Sequence, residues 1–190
     1  EIPIEAAIAR VEVEGDVLTV RSGRLPSVRR IERAAVRAVR SRRRWGGQAL
    51  TVLTNLTHRG ARGTEPNTGD GAGIVMQMPH AFLQKKAERH SFSLPKPGLY
   101  AVGMVFLPPD SNHRRVIEIQ FETIIASEGQ RVLGWRTVKT DNSALGDTAR
   151  RSEPKMRMVF ISRSPHIQSE MEFERKLYVI RKRAESEIRY

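Results

Sequence analysis

Cysteine is missing altogether from these 190 residues. That excludes a disulfide framework, thiolate-held zinc and cysteine-ligated iron–sulfur clusters. It also excludes a cysteine nucleophile in the chain as written. Long apolar runs are missing too: no stretch reaches the ~18 residues that a membrane-spanning helix needs. The first residues, Glu1-Ile2-Pro3-Ile4-Glu5, lack the basic start and apolar middle of a secretory signal. The cytoplasm is therefore the expected compartment, with no membrane partner. The five histidines (His58, His80, His90, His113, His166) are scattered without metal-ligand spacing, and no Ser-His-acid set stands out. No metal site and no catalytic residue is expected from these patterns.

Positive charge is plentiful, with a formal net charge of +12. Its distribution is uneven. Residues 21–47 hold ten arginines against one acid, Glu32, which accounts for nine of the twelve charges. Basic nucleic-acid-binding segments usually pair Lys and Arg with exposed aromatics or a recognisable module. Here there is only Trp45 and no module. Nucleic-acid binding stays as an alternative reading, and the simpler one is a solvated basic stretch. A helix over 28–44 is allowed by propensity.

The rest alternates between periods. Val11, Val13 and Val17-Leu18-Thr19-Val20 flank Gly15-Asp16, which predicts a hairpin over residues 1–20. Leu50, Leu53 and Leu56 predict a helix over 48–58, stopped by Gly60 and Gly63. A Gly-rich loop over 61–73 and a strand over Ile74–Met78 follow. His80–His90 reads as a helix with Phe82, Leu83 and Ala87 inward. Tyr100–Leu107 reads as an apolar strand closed by Pro108-Pro109-Asp110. Asn112–Glu128 reads as a helix with Val116, Ile119 and Ile124 on its apolar face and Gly129 as its stop. Strands are expected over Val132–Val138 and Arg157–Ser162, with a loop over Asp141–Thr148. Met171–Arg183 starts as helix or strand, and Leu177-Tyr178-Val179-Ile180 reads as strand. Mixed strands and helices imply a layered α/β arrangement.

Few residues here ask for chemistry on their own. Thr68-Gly69-Asp70-Gly71-Ala72-Gly73 looks like a phosphate loop in composition, but it follows a helix and opens a strand. Both nucleotide fingerprints need the reverse order, so positive-φ turns are the better reading. Asp70 and Asp141 sit beside Gly or Asn, where turn roles are expected. His58 and Arg59 close a helix, where a cap or a dipole partner is ordinary.

Several blocks taken together are more specific. Residues 48–80 run from Gln48-Ala49-Leu50 through His58-Arg59-Gly60 and Thr68-Gly69-Asp70-Gly71-Ala72-Gly73 to Pro79-His80. Leu99-Tyr100-Ala101-Val102-Gly103-Met104 follows, then Val132-Leu133-Gly134-Trp135-Arg136, Asp141-Asn142-Ser143-Ala144-Leu145-Gly146 and Ser152-Glu153-Pro154. Phe173 through Arg183 closes the series. In order and spacing these blocks resemble the glutaminase domain (class II glutamine amidotransferase) of the glutamate synthase large subunit, over residues 48–183.

The resemblance implies an α+β fold, part of the four-layer αββα sandwich of N-terminal-nucleophile hydrolases. It implies that an N-terminal cysteine attacks the side-chain amide of L-glutamine, with its own α-amino group as base. An Asn-Gly pair supplies the oxyanion hole, and the released ammonia reaches 2-oxoglutarate at a separate flavin domain. FMN and an iron–sulfur cluster are implied for the full-length family and none for this chain. The implied partners are the remainder of the synthase and a small subunit; the donor is a pyridine nucleotide or ferredoxin. Arg59 matches the arginine that lies near the nucleophile, and it is the one substrate-binding residue carried over. Its planar, permanent charge suits positioning a carboxylate or carbonyl group.

Two departures follow. The Cys-Gly-x-Gly-Phe start is missing where residues 21–47 stand, and the chain stops at Tyr190 before the oxyanion element. The expected division is therefore an atypical Arg-rich segment, 1–47, and the first part of the amidotransferase domain, 48–190. Codons for Val36-Arg37-Ala38-Val39-Arg40-Ser41, read one base later, can spell Cys-Gly-x-Phe-Val-Ala, so a frame-shifted or mis-joined segment is one origin. The chain as written is expected to be an inactive glutaminase fragment, marginally stable alone because sheet edges and an apolar face lack cover. A cysteine-free binding or regulatory homologue is the alternative within the family.

Overall fold

The computed structural model describes residues 10–14, 17–21, 55, 78–140 and 146–188. Residues 10–14, 17–21, 78–138 and 154–188 belong to one unit; Asn55, 139–140 and 146–153 belong to a second. In the first unit, β1 (Arg10–Glu14) and β2 (Val17–Arg21) pair antiparallel with Glu14 opposite Val17. The hairpin expected around Gly15-Asp16 is therefore present as a strand pair.

The remaining elements are α1 (His80–Glu88), β3 (Tyr100–Leu107), α2 (Ser111–Ser127), β4 (Arg131–Thr137), α3 (Asp147–Arg151), β5 (Lys155–Ser162) and α4 (Glu170–Glu187). β5 lies between β3 and β4 and runs antiparallel to both. β3 and β4 therefore run parallel, joined by α2 as a crossover helix, with β5 filling the gap between them. A helix is the ordinary way to connect two parallel strands.

The two sheet faces differ in what covers them. Val105 and Leu107 of β3, Val159 and Ile161 of β5, and the half-buried Val132 and Trp135 of β4 point to one side. There they meet Ile117, Phe121, Ile124 and Ile125 of α2 and Ile180 and Ala184 of α4. Ile125 and Val159 are fully buried, and removing such side chains from water stabilises by about 1.5–3 kcal/mol each. On the other side, Tyr100, Val102 and Phe160 pack with Leu83 of α1 and with Phe92 and Leu94 of the following loop. A bulge between Val132 and Gly134 brings Gly134, two residues after Val132, opposite Phe160 on the same face as Leu133.

Helix ends follow local chemistry. The Asp110 side chain accepts a hydrogen bond from the His113 amide at 2.8 Å and so caps α2. Arg114 Nη1 donates to the carbonyls of Pro108 and Pro109 and holds the entry turn. Gly129 ends α2 at φ 75, a left-handed conformation that glycine adopts without Cβ strain. Ser169 caps α4 by accepting from the Glu172 amide, and Glu170 and Glu172 sit where the helix dipole favours acids.

Three expectations need correction. Leu177–Ile180 is not strand; it lies inside α4, an unbroken helix from Glu170 to Glu187. Leu177, Ile180 and Ala184 recur at helical spacing and face the core, and that period outweighs the β-propensity of Tyr178-Val179. Phe82 does not point inward with Leu83 and Ala87; it is 49% exposed. Val116 and Ile119 are exposed as well, and the apolar face of α2 is Ile117, Phe121, Ile124 and Ile125. The strand over Tyr100–Leu107 holds as read, and the helices read from His80 and Asn112 and the strands read from Val132 and Arg157 hold within two residues.

In the second unit, α3 starts at Asp147, inside the span read as loop, and Thr140 Oγ1 donates to Glu153 at 3.3 Å. Of the helix expected over 48–58, Asn55 is described, and it is helical. Of the strand expected over Ile74–Met78, Met78 is described, and it is irregular. The Arg-rich segment beyond Arg21 and the Gly-rich loop lie outside the described residues.

Candidate functional site

Arg59, the substrate-binding residue carried over from the resemblance, lies outside the described residues. So do His58, Asp70 and Asp141. The remaining histidines are not brought together. His80 opens α1, and its Nδ1 lies 2.9 Å from the Tyr100 hydroxyl. His113 sits 3.5 Å from Asp110 in the capping turn of α2. His90 and His166 are exposed. Among the described residues, no group of three or more His, Asp or Glu could hold a metal ion.

The described residues build a sheet face with one cation planted in it. In register across the sheet, Met104 of β3, Met158 of β5 and Arg136 of β4 form one row. Phe106 and Met156 form the next. Arg136 is only 9% exposed. Its Nη1 donates to Met158 Sδ at 3.2 Å, and its guanidinium lies 5.7 Å from the centre of the Phe82 ring. Lys86 Nζ stands 5.2 Å from the same ring. Burial pushes the Arg136 pKa down, the direction expected for a cation removed from water. Burial also raises the Tyr100 hydroxyl above its ordinary value.

Arg136 was not singled out from the sequence. The signal was present: one arginine inside Val132-Leu133-Gly134-Trp135-Arg136, on an alternating strand whose neighbours are apolar. A charge in such a strand usually marks its solvent side. The sheet register puts this one on a covered face instead.

Comparison with known proteins settles the family. The model of class-II glutamine amidotransferases matches residues 35–190. This chain belongs to the class-II glutamine amidotransferases. The amidotransferase chain is 46% identical over 139 residues to "Glutamate synthase [NADPH] large chain" of Bacillus subtilis, covering 73% of this chain and 9% of that protein. It is 38% identical to "Glutamate synthase [NADH]" of Schizosaccharomyces pombe, covering 72% and 7%. It is 31% identical to "Ferredoxin-dependent glutamate synthase 2" of Synechocystis, covering 70% and 8%. The amidotransferase chain thus spans less than a tenth of the length of these relatives. Its mixed helices and sheet accord with the family. No helix among its described residues is long and apolar enough to cross a membrane.

Proposed function

We propose that this chain is part of the glutaminase domain of a glutamate synthase, a domain that hydrolyses L-glutamine and passes ammonia to glutamate formation from 2-oxoglutarate. The observation that carries this reading is the family match over residues 35–190, joined to 46% identity with a synthase large chain. The finer fold in this reading is one part of a four-layer αββα sandwich. What supports it is the three-stranded sheet with α2 and α4 on one face.

Arg59 is the residue proposed to position the substrate, through the fixed fork of its guanidinium. The nucleophile of this chemistry is a cysteine, and the chain has none. Without a thiolate, the amide carbon has no attacking group and no thioester can form. The chain as written is therefore proposed to be inactive in glutamine hydrolysis. The partners in this reading are the rest of the synthase and a small subunit, in the cytoplasm. FMN and an iron–sulfur cluster belong to that remainder. The residues of this chain do not fit such a cluster, having no cysteine to ligate it.

A second reading within the family has one observation in its favour, the lack of cysteine. It makes the chain a scaffold that binds glutamine without cleaving it. Ammonia release and glutamine binding are measured on the chain as given, and on a longer version carrying a Cys-Gly-x-Gly-Phe start. Release by the restored protein alone supports the fragment reading. Saturable glutamine binding by the unaltered chain supports the scaffold. Ammonia release by the unaltered chain overturns both, because another nucleophile must then act.

A further inference from the structure

Three polar or charged side chains are buried among the described residues: Glu118, Gln130 and Arg136. Two of them are answered. Glu118 pairs with Arg157, and Gln130 receives the Ser164 amide and donates to the Glu128 carbonyl. Among the described residues Arg136 has no carboxylate or carbonyl partner; one thioether sulfur is its hydrogen-bond acceptor, and its remaining donors are not fully buried. A thioether accepts weakly, and a guanidinium carries five donors. Buried cations without a counter-charge are costly, so each calls for a physical reason.

The surroundings describe what would answer it. Met104 and Met158 share its row, with Phe106 and Met156 beside them, all only half-buried. The Phe82 ring has the Arg136 guanidinium 5.7 Å and Lys86 Nζ 5.2 Å from its centre. Thioethers and aromatic rings are soft, adaptable walls, and they accept methylene groups readily. Two cations close to one ring set a positive potential at the spot. A planar fork in that position matches the two oxygens of a carboxylate. An anion with no apolar part would leave the methionine and phenylalanine surface uncovered.

We infer that Arg136, with Lys86 and Phe82, forms a binding site for a small aliphatic carboxylate. The guanidinium takes the carboxylate, and the chain of the ligand lies along Met104, Met158 and Phe106. A dicarboxylate places its second charge towards Lys86. This inference does not depend on whether the chain hydrolyses glutamine.

The experiment follows the methionine methyl resonances of the 190-residue chain during titration with glutarate, beside inorganic phosphate and chloride at matched ionic strength. Thermal melts verify that each variant folds. Saturable shifts at Met104 and Met158 are expected with glutarate and not with chloride. They are expected to vanish in Arg136→Met and to need higher glutarate in Lys86→Gln, a surface change that leaves the core intact. Phosphate is expected to bind more weakly than glutarate, having no apolar part. Absent shifts in the unaltered chain overturn the site. Unchanged shifts in Arg136→Met overturn it too, as does an equal response to glutarate and chloride.

Discussion

Arg157 and Glu118 form an ion pair that ties β5 to α2 on the helix-covered side of the sheet. Glu118 is nearly buried, and the Arg157 guanidinium also lies 5.3 Å from the centre of the Trp135 ring. Trp135 Nε1 donates to Glu122 at 2.8 Å, one helical turn after Glu118. Arg115 approaches both carboxylates from outside at 3.8 Å. Charges of both signs thus alternate from solvent to sheet, with an aromatic ring at the centre. The amidotransferase chain pins its crossover helix to the two strands by this network as well as by apolar contact.

Glu118→Ala should destabilise the chain by about 3 kcal/mol, since it leaves Arg157 partly buried without its counter-charge. Glu118→Leu combined with Arg157→Met should recover most of that loss, because apolar groups of similar volume replace the pair. Urea unfolding of the three chains measures both effects. A double variant as unstable as Glu118→Ala alone would show that the ion pair itself, not the stranded charge, matters.

Glu128 gives a pH dependence of known sign. Hydrogen bonds from Arg183 and then Lys176 hold its carboxyl below the usual carboxylate range. A group with a depressed folded pKa adds stability above its unfolded value, about 4.3, and loses it as pH falls through the folded value. The urea midpoint of the unaltered chain should therefore exceed that of Glu128→Gln by a constant amount above about pH 5. The gap should close on acidification below about pH 4. A gap that stays constant into strong acid would mean that Glu128 is not held by its cationic partners.

How much was legible depended on the kind of signal. Tyr100–Leu107 was read correctly because eight apolar residues end at Pro108-Pro109, a stop that no strand passes. The end of α2 was read from Gly129, which acts locally, whereas Asp110, read only as the close of β3, also caps α2. Faces were read less well. Val116 and Ile119 are as apolar as Ile117 and Ile125, and the side of α2 that meets the sheet is fixed by β5 more than thirty residues later. Leu177–Ile180 carried β-branched and aromatic residues that suit either period, and packing against β5 and α2 selected the helix. Arg136 was invisible for the same reason: only register with Met158 shows which side of the sheet it occupies. The Arg59 reading rests on family resemblance, since nothing local separates it from a helix-end arginine, and the residue lies outside the described ones.

Gly134 is set by contact with the ring of Phe92. A Cβ there would lie 2.5 Å from Phe92 Cδ1, and Phe92 in turn packs on Phe160 with ring centres 5.1 Å apart. Gly134→Ala should cost roughly 1–3 kcal/mol through overpacking. Adding Phe92→Leu should return part of it by freeing the space. Thermal melting of the single and double variants decides the matter; a double variant with no recovery would place the strain in the β4 backbone instead.

Ile119 and Ile125 share α2 yet face opposite ways, the first 47% exposed and the second fully buried between the sheet and α4. Helix propensity changes equally when either becomes alanine, so the difference between the two variants isolates burial. Ile125→Ala should lose about 2–5 kcal/mol, combining lost transfer free energy with a cavity that the close-packed Val159 and Ile180 cannot fill. Ile119→Ala should stay within about 0.5 kcal/mol of the unaltered chain. Chemical denaturation at constant m-value reads both. Equal losses would mean that Ile119 is covered in solution, and the exposed side of α2 would then have to be an interface.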